Sequence, residues 1–288
     1  MTHYSYNEFH LGDSLIHMHF LRHLALENPG HEFMHAVHPC HIPQLAETIT
    51  DVPQVTLWPL GQPELAHLPW RNVWKNAGAT VTNGGPTPNY VPGFWEKHPL
   101  RNDYAGFYLA WFQYLAAEMG LKSPFNNRED LLFDYPKLQE KSNKGLLERC
   151  RGFNRYDFLV VNSQPSSGQL MAYNTTEYLT PLIEELAERY VVITTQPIKP
   201  TRPTLNIACT RDYNLSVSEI GILSNFTDHL IMVSTGPSWC TFNKFNQDSV
   251  KLRVLLLGNG ERVDYARNLI QVPNREEARE TLVAAKLL

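Results

Sequence analysis

"NEFHLGDSLIHMHFLRHL", residues 7–24, decides how this chain is read. A strand-like stretch around residues 3–9 runs into His10-Leu11-Gly12. Behind it Leu15, Met18, Leu21 and Ala25 recur at helical spacing, which predicts a helix from Ser14 to about Leu26. Asp13 therefore falls directly after a glycine, at the mouth of the first helix. Gly12 permits a tight turn and close approach of a ligand. Two roles suit Asp13. As a cap, its carboxylate accepts amide hydrogen bonds. As a general base, it takes a proton from a reacting hydroxyl. The roles are compatible, although a strong cap lowers the carboxyl pKa and weakens the base.

Outward from this stretch the alternation continues. EFMHAV (32–37) and QVTLWPL (54–60) read as strands, with a helix begun at Pro43 between them. Residues 61–100 break the pattern. "TNGGPTPNYVPGFW" (82–95) is too rich in turn residues for a regular element. Its Tyr90 and Trp95 suit stacking on a sugar ring, or a hydrophobic cluster under a long loop. Residues 103–119 form an aromatic-rich helix, with Gly120 as its C-terminal cap.

A polar stretch, 135–157, separates two halves, 1–146 and 147–288. The second half alternates again. Strands are expected at 157–162, 190–195, 205–210, 229–235 and 251–258, with helices at 176–190, 219–225 and 275–288. Ser216-Val217-Ser218-Glu219 is a capping-box pattern. Two such alternations predict an α/β protein of two Rossmann-like domains with parallel sheets, facing each other across a cleft. Ligands of such sheets bind outside the carboxyl ends of the strands.

Composition narrows the function. The chain has 288 residues, 43% hydrophobic and 19% charged, with a net charge of −4. No run approaches the roughly 18 apolar residues of a membrane span. The absence of a long basic run disfavours nucleic acid as the main partner. The four scattered cysteines and the N-terminus, which lacks a leader pattern, fit free thiols in a cytoplasmic protein. His31, His35, His38, Cys40 and His41 invite a metal reading. However, His35 and His38 lie three apart on a strand and point to opposite faces, so no metal is expected. No GxGxxG follows the first strand, which disfavours a nicotinamide cofactor; no cofactor is expected.

Two turns of the second half suit diphosphate oxygens. One is Asn162-Ser163-Gln164-Pro165-Ser166-Ser167-Gly168-Gln169; the other is Ser234-Thr235-Gly236-Pro237-Ser238-Trp239. Small hydroxyls, a glycine and a proline at the first helical position serve such a turn, and equally an ordinary strand-to-helix connection.

"LGDSLIHMHFLRHL" resembles the first strand–helix turn of GT-B glycosyltransferases of the heptosyltransferase type, family 9, where a Gly-Asp pair opens the first helix. "SVSEIGILSNFTDHLIMVSTGPSWCTF" (216–242) resembles their C-terminal nucleotide-sugar segment. The resemblance implies metal-independent transfer of a sugar from a nucleotide-diphosphate sugar to an acceptor hydroxyl, with Asp13 as base. It maps the phosphate-binding turn onto Thr235 and Gly236, with Ser238 close by, and the loop residues Gly12, Ser166, Ser167, Gly168, Gln169 and Ser234 complete the expected donor side. His10, Tyr90 and Trp95 fall on the acceptor side. The chain departs from the family where an acidic residue gives way to Ser234 and a histidine to Trp239. The lysine of the first C-terminal loop is also missing. Diphosphate charge then falls to amides, hydroxyls or a basic residue such as Arg211, Arg151, Arg155, Lys199 or Arg202. Base selectivity is expected near Thr195–Ile198 and Thr210–Asn214. The competing readings are a sugar-nucleotide epimerase or hydrolase of the same fold, and a non-catalytic nucleotide-sugar-binding protein.

Overall fold

The computed structural model describes residues 1–7, 10–60, 73–75, 103–140, 156–165, 174–205, 207–257 and 262–288. The chain divides into two compact units, Met1–Pro136 and Lys137–Leu288. The expected division at 146/147 lies outside the described residues.

The first unit is a parallel sheet in the order β3-β2-β1-β4. Its strands are β1 (Thr2–Asn7), β2 (Glu32–Val37), β3 (Val55–Pro59) and β4 (Val73–Lys75). The short β4 lies inside the stretch expected to be irregular. Helix α1 (Leu11–Glu27) links β1 to β2, and the short α2 (Ile42–Ala46), with Pro43 in its first turn, precedes β3. The aromatic helix α3 (Tyr104–Glu118) ends on Gly120 at φ +70°, the left-handed position the sequence assigned to it.

α1 is buried far beyond one stripe. Leu15, Met18, Leu21 and Ala25 are at most 1% exposed, but His17, His19, Phe20 and Leu24 are buried as well. A helix enclosed on most faces belongs to a core rather than a surface. Phe20 stacks on Phe112 of α3 with ring centroids 4.4 Å apart.

The second unit is a six-stranded parallel sheet. It comprises β5 (Tyr156–Val161), β6 (Val192–Thr194), β7 (Ile207–Cys209), β8 (Thr227–Val233), β9 (Leu252–Leu256) and β10 (Leu269–Val272). The order β10-β9-β8-β5-β6-β7 is the Rossmann order, with its reversal between β5 and β8. All pairs are parallel. Strands buried on both faces explain the continuous apolar runs of β5 and β8. β10, whose LIQV is half exposed, was not expected.

Helix α4 (Thr175–Ala187) buries Leu179, Leu182, Ile183 and Leu186 against Phe158 and Val160. Each such side chain contributes about 1.5–3 kcal/mol of burial. Helix α5 (Val217–Ser224) opens on the predicted capping box. The Glu219 carboxylate accepts from the Ser216 N–H at 2.8 Å, and the Ser216 hydroxyl accepts from the Glu219 N–H at 3.3 Å. The four-residue α6 (Gly236–Trp239) and the C-terminal α7 (Arg275–Ala284) complete the unit.

Candidate functional site

In the first sheet the strand order reverses between β1 and β4, so ligands are expected where β1 ends. β1 ends on Asn7, which is fully buried and donates from Nδ2 to Ser14 Oγ at 2.8 Å. The Ser14 N–H in turn donates to the His10 carbonyl at 3.1 Å. This clamp starts α1 three residues earlier than the sequence predicts. His10 is the N-cap residue and makes no side-chain cap bond. Asp13 therefore lies within the first turn rather than at its mouth, and the N-cap reading of Asp13 is replaced.

Asp13 is partly buried and accepts a hydrogen bond from the Tyr108 hydroxyl at 2.7 Å. Burial raises its carboxyl above the ordinary 3.8, against the pull of the Tyr108 hydrogen bond, nearby His10 and its own backbone N–H. The desolvation prevails. A carboxylate held this way is a stronger base than an exposed one. Sequence reasoning did not find Tyr108, since no local pattern links residues 95 apart.

The histidines divide by environment. His17 and His35 are buried in the core with rings stacked 4.5 Å apart, and burial holds His35 well below the usual histidine range. His38 and His41 follow β2, at the same edge of the sheet as His10. Burial, His38 and His10 lower the pKa of His41. Cys40 is exposed, with its sulfur 3.0 Å from His38 Nδ1.

Among the described residues, His19, His23 and Asp134 place ligating atoms within 4.8 Å of one another. Arg22 already donates to the same Asp134 oxygen at 2.7 Å and grips Asp51 at 2.6 Å. A metal ion there would have to displace the Arg22 guanidinium from Asp134. The cluster acts as a clamp between α1 and two loops.

In the second unit, β5 and β8 flank the reversal, and the two turns singled out in the sequence follow these two strands. Asn162, directly after β5, is fully buried. Its Oδ1 accepts from the Thr195 N–H at 3.1 Å and the Gln196 N–H at 2.8 Å, and its Nδ2 donates to the Gln196 carbonyl at 3.1 Å. Gln164 Oε1 accepts from the Thr175 N–H at 2.9 Å, tying the turn to the start of α4. Ser166, Ser167, Gly168 and Gln169 lie outside the described residues, as do Tyr90, Trp95, Arg151 and Arg155.

After β8, Thr235 is the N-cap residue of α6, with Gly236 and Pro237 opening the turn. Ser238 is buried and donates its hydroxyl to the Val233 carbonyl. Gly236 and Ser234 are partly exposed. Trp239 is 6% exposed and lies parallel to Tyr265 at 6.4 Å, so its ring serves packing.

Arg211 is exposed and follows the edge strand β7, two strands from β5, hence about 10 Å away. Arg202 pairs with Glu188 at the surface. Lys199 lines an open cavity of 520 Å³ between the start of α4 (Asn174, Thr176, Glu177) and the segment after β6 (Gln196, Ile198). That volume lies within the usual range of small-molecule sites.

No protein-family model matches the sequence, and no curated protein matches it. Solved structures do. The E. coli heptosyltransferase WaaC with ADP aligns at a TM-score of 0.58 and 12% identity, covering 100% of this chain and 99% of that one. WaaC with ADP-2-deoxy-2-fluoro heptose aligns at 0.58 and 11%, over 99% and 100%. The iron-containing dodecameric glycosyltransferase TibC from enterotoxigenic E. coli H10407 aligns at 0.52 and 14%, over 93% of this chain and 62% of that one. The fold is that of the GT-B glycosyltransferases, as the sequence predicts. No helix among the described residues is long and apolar enough to cross a membrane.

Proposed function

We propose that this chain is a glycosyltransferase that takes its sugar from a nucleotide-diphosphate donor. The observation that carries this reading is Asp13. It is a partly buried carboxylate at the strand-order reversal of the first sheet, with its pKa raised by burial. In the proposed step Asp13 accepts the proton of an acceptor hydroxyl. The acceptor oxygen forms a bond to the anomeric carbon as the bond from that carbon to the diphosphate oxygen breaks. The nucleoside diphosphate leaves with the bonding electrons.

We place the diphosphate at the Ser234-Thr235-Gly236 turn, assign Ser166, Ser167, Gly168 and Gln169 to it from the sequence, and place the nucleoside at the cavity beside Gln196 and Lys199. Backbone amides and hydroxyls there oppose the growing negative charge. His10 is assigned to the acceptor side. No metal takes part in this step.

A second reading, nucleotide-sugar binding without catalysis, is favoured by one observation: Trp239 occupies the family's histidine position and is used for packing.

The test is thermal stabilisation by ADP, GDP, UDP and CDP, each with and without EDTA. A ligand at 100-fold its Kd adds about 2.7 kcal/mol. Stabilisation by one nucleoside diphosphate, indifferent to EDTA, is expected. A flat panel would overturn the donor assignment.

A further inference from the structure

α3 contributes more to the site than its packing. Tyr104 and Tyr108 lie one turn apart, on the same face of the helix. The Tyr104 hydroxyl donates to the Tyr108 hydroxyl at 3.3 Å, and Tyr108 donates onward to Asp13 Oδ1 at 2.7 Å. Tyr108 is 1% exposed.

The helix that carries the pair is fixed at both levels. Its N-cap, Asp103, accepts from the Gly106 N–H at 3.0 Å and pairs with Arg128. One turn beyond Tyr108, Phe112 stacks on Phe20 of α1 at 4.4 Å and contacts the Tyr108 ring at 5.5 Å. The phenol is therefore seated by packing on the same helix that carries Asp13.

We propose that Tyr108 is the positioning residue of Asp13, its hydroxyl fixing the orientation of the carboxylate while Tyr104 orients that hydroxyl. This rests on the reading of Asp13 as the base. A carboxylate at the first turn of a helix can rotate toward the helix amides, where it would act as a cap. A donor from α3 at 2.7 Å on Oδ1 competes with that rotation and fixes one carboxylate oxygen toward α3. Preorganisation of this kind matters because small misplacements of a reacting group cost large factors in rate. Among the described residues, the groups facing Asp13 include His10 from its own turn and Tyr108 from α3, with Tyr104 behind.

The test is Tyr108→Phe, which removes the donor and keeps the ring. Two readouts are taken. The first is the titration of Asp13 by carbon-13 carboxyl resonance, assigned by its loss in Asp13→Asn. A donor to the ionised form favours that form, so its removal should move the midpoint upward. The second is transfer: kcat should fall about tenfold or more at neutral pH, with donor KM within twofold and the acid limb moved upward. Tyr104→Phe should shift both in the same direction by less, and it keeps the test open if Tyr108→Phe unfolds.

An unchanged midpoint in a folded Tyr108→Phe protein, with transfer intact, would overturn the positioning role and leave the transferase reading standing. A shifted midpoint in a protein whose wild type transfers no sugar would overturn both, since the coupling would then position no base.

Discussion

The two sheets end their central strands alike and then diverge. β1 ends on Asn7 and β5 is followed by Asn162, each fully buried, the first bonded to Ser14 of α1 and the second to the segment after the neighbouring strand β6. Beyond that shared clamp, the first unit sets out a titratable group, Asp13, whose pKa burial raises. At the described part of its own reversal, the second unit sets out hydroxyls and backbone amides, with Ser238 and Gln164 already bonded within the protein. In the function proposed above, the first reversal serves proton transfer and the second holds an anion. On that proposal the same sheet topology serves two chemistries, and the choice rests on the few residues after the asparagine.

The comparison breaks most visibly if the asparagine clamp is not what seats the second turn. Asn162→Ala removes the fully buried amide's bonds to the Gln196 N–H and carbonyl, while the Thr195 N–H keeps the Val160 carbonyl at 3.1 Å, and should destabilise the second unit by about 3 kcal/mol, read by chemical denaturation. A change under about 0.5 kcal/mol would make the clamp incidental.

A smaller effect is expected beneath the Thr235-Gly236 turn. A Cβ on Gly221 would meet the Cys240 carbonyl at 2.8 Å and Leu138 Cδ2 at 2.6 Å. Leu138 can swing aside, but the carbonyl is backbone at the end of α6. Gly221→Ala should therefore cost about 2 kcal/mol and weaken nucleoside diphosphate binding along with stability. Unchanged binding would uncouple α6 from the donor.

On the other side of the comparison, Asp13→Asn should stabilise slightly. The folded pKa is raised above 3.8, so the folded state resists ionisation, and stability is lost as pH rises through the folded value. The amide variant escapes that loss. Its melting temperature should exceed wild type at pH 7–8 and match it below about pH 4. A variant less stable at pH 8 would assign Asp13 a structural role instead.

The smallest expected effect is that of EDTA. Arg22 occupies the Asp134 carboxylate, so chelation should change transfer less than twofold.

Much of the fold was legible because its signals are local. The capping box at Ser216–Glu219, the left-handed Gly120 and the apolar runs of β5 and β8 each announce themselves within a few residues. The helix start at Leu11 was not legible. Residue preferences favour Ser14 or Asp13 as the boundary, but the Asn7–Ser14 clamp and burial of the whole helix override them. β4 and β10 were missed for a related reason: three or four residues are too few to show a period. In the candidate site, Asp13 was visible from its glycine and helix. Tyr108 was not, because its partner lies 95 residues away and only packing unites them. The same limit hid the Trp239–Tyr265 pairing.

The most direct test is to measure nucleoside diphosphate affinity and donor turnover together, in wild type and Asp13→Asn. We expect Kd to stay within twofold while turnover falls at least about 100-fold, the loss of a general base. Full turnover in the amide variant would contradict the assignment of chemistry to the first sheet.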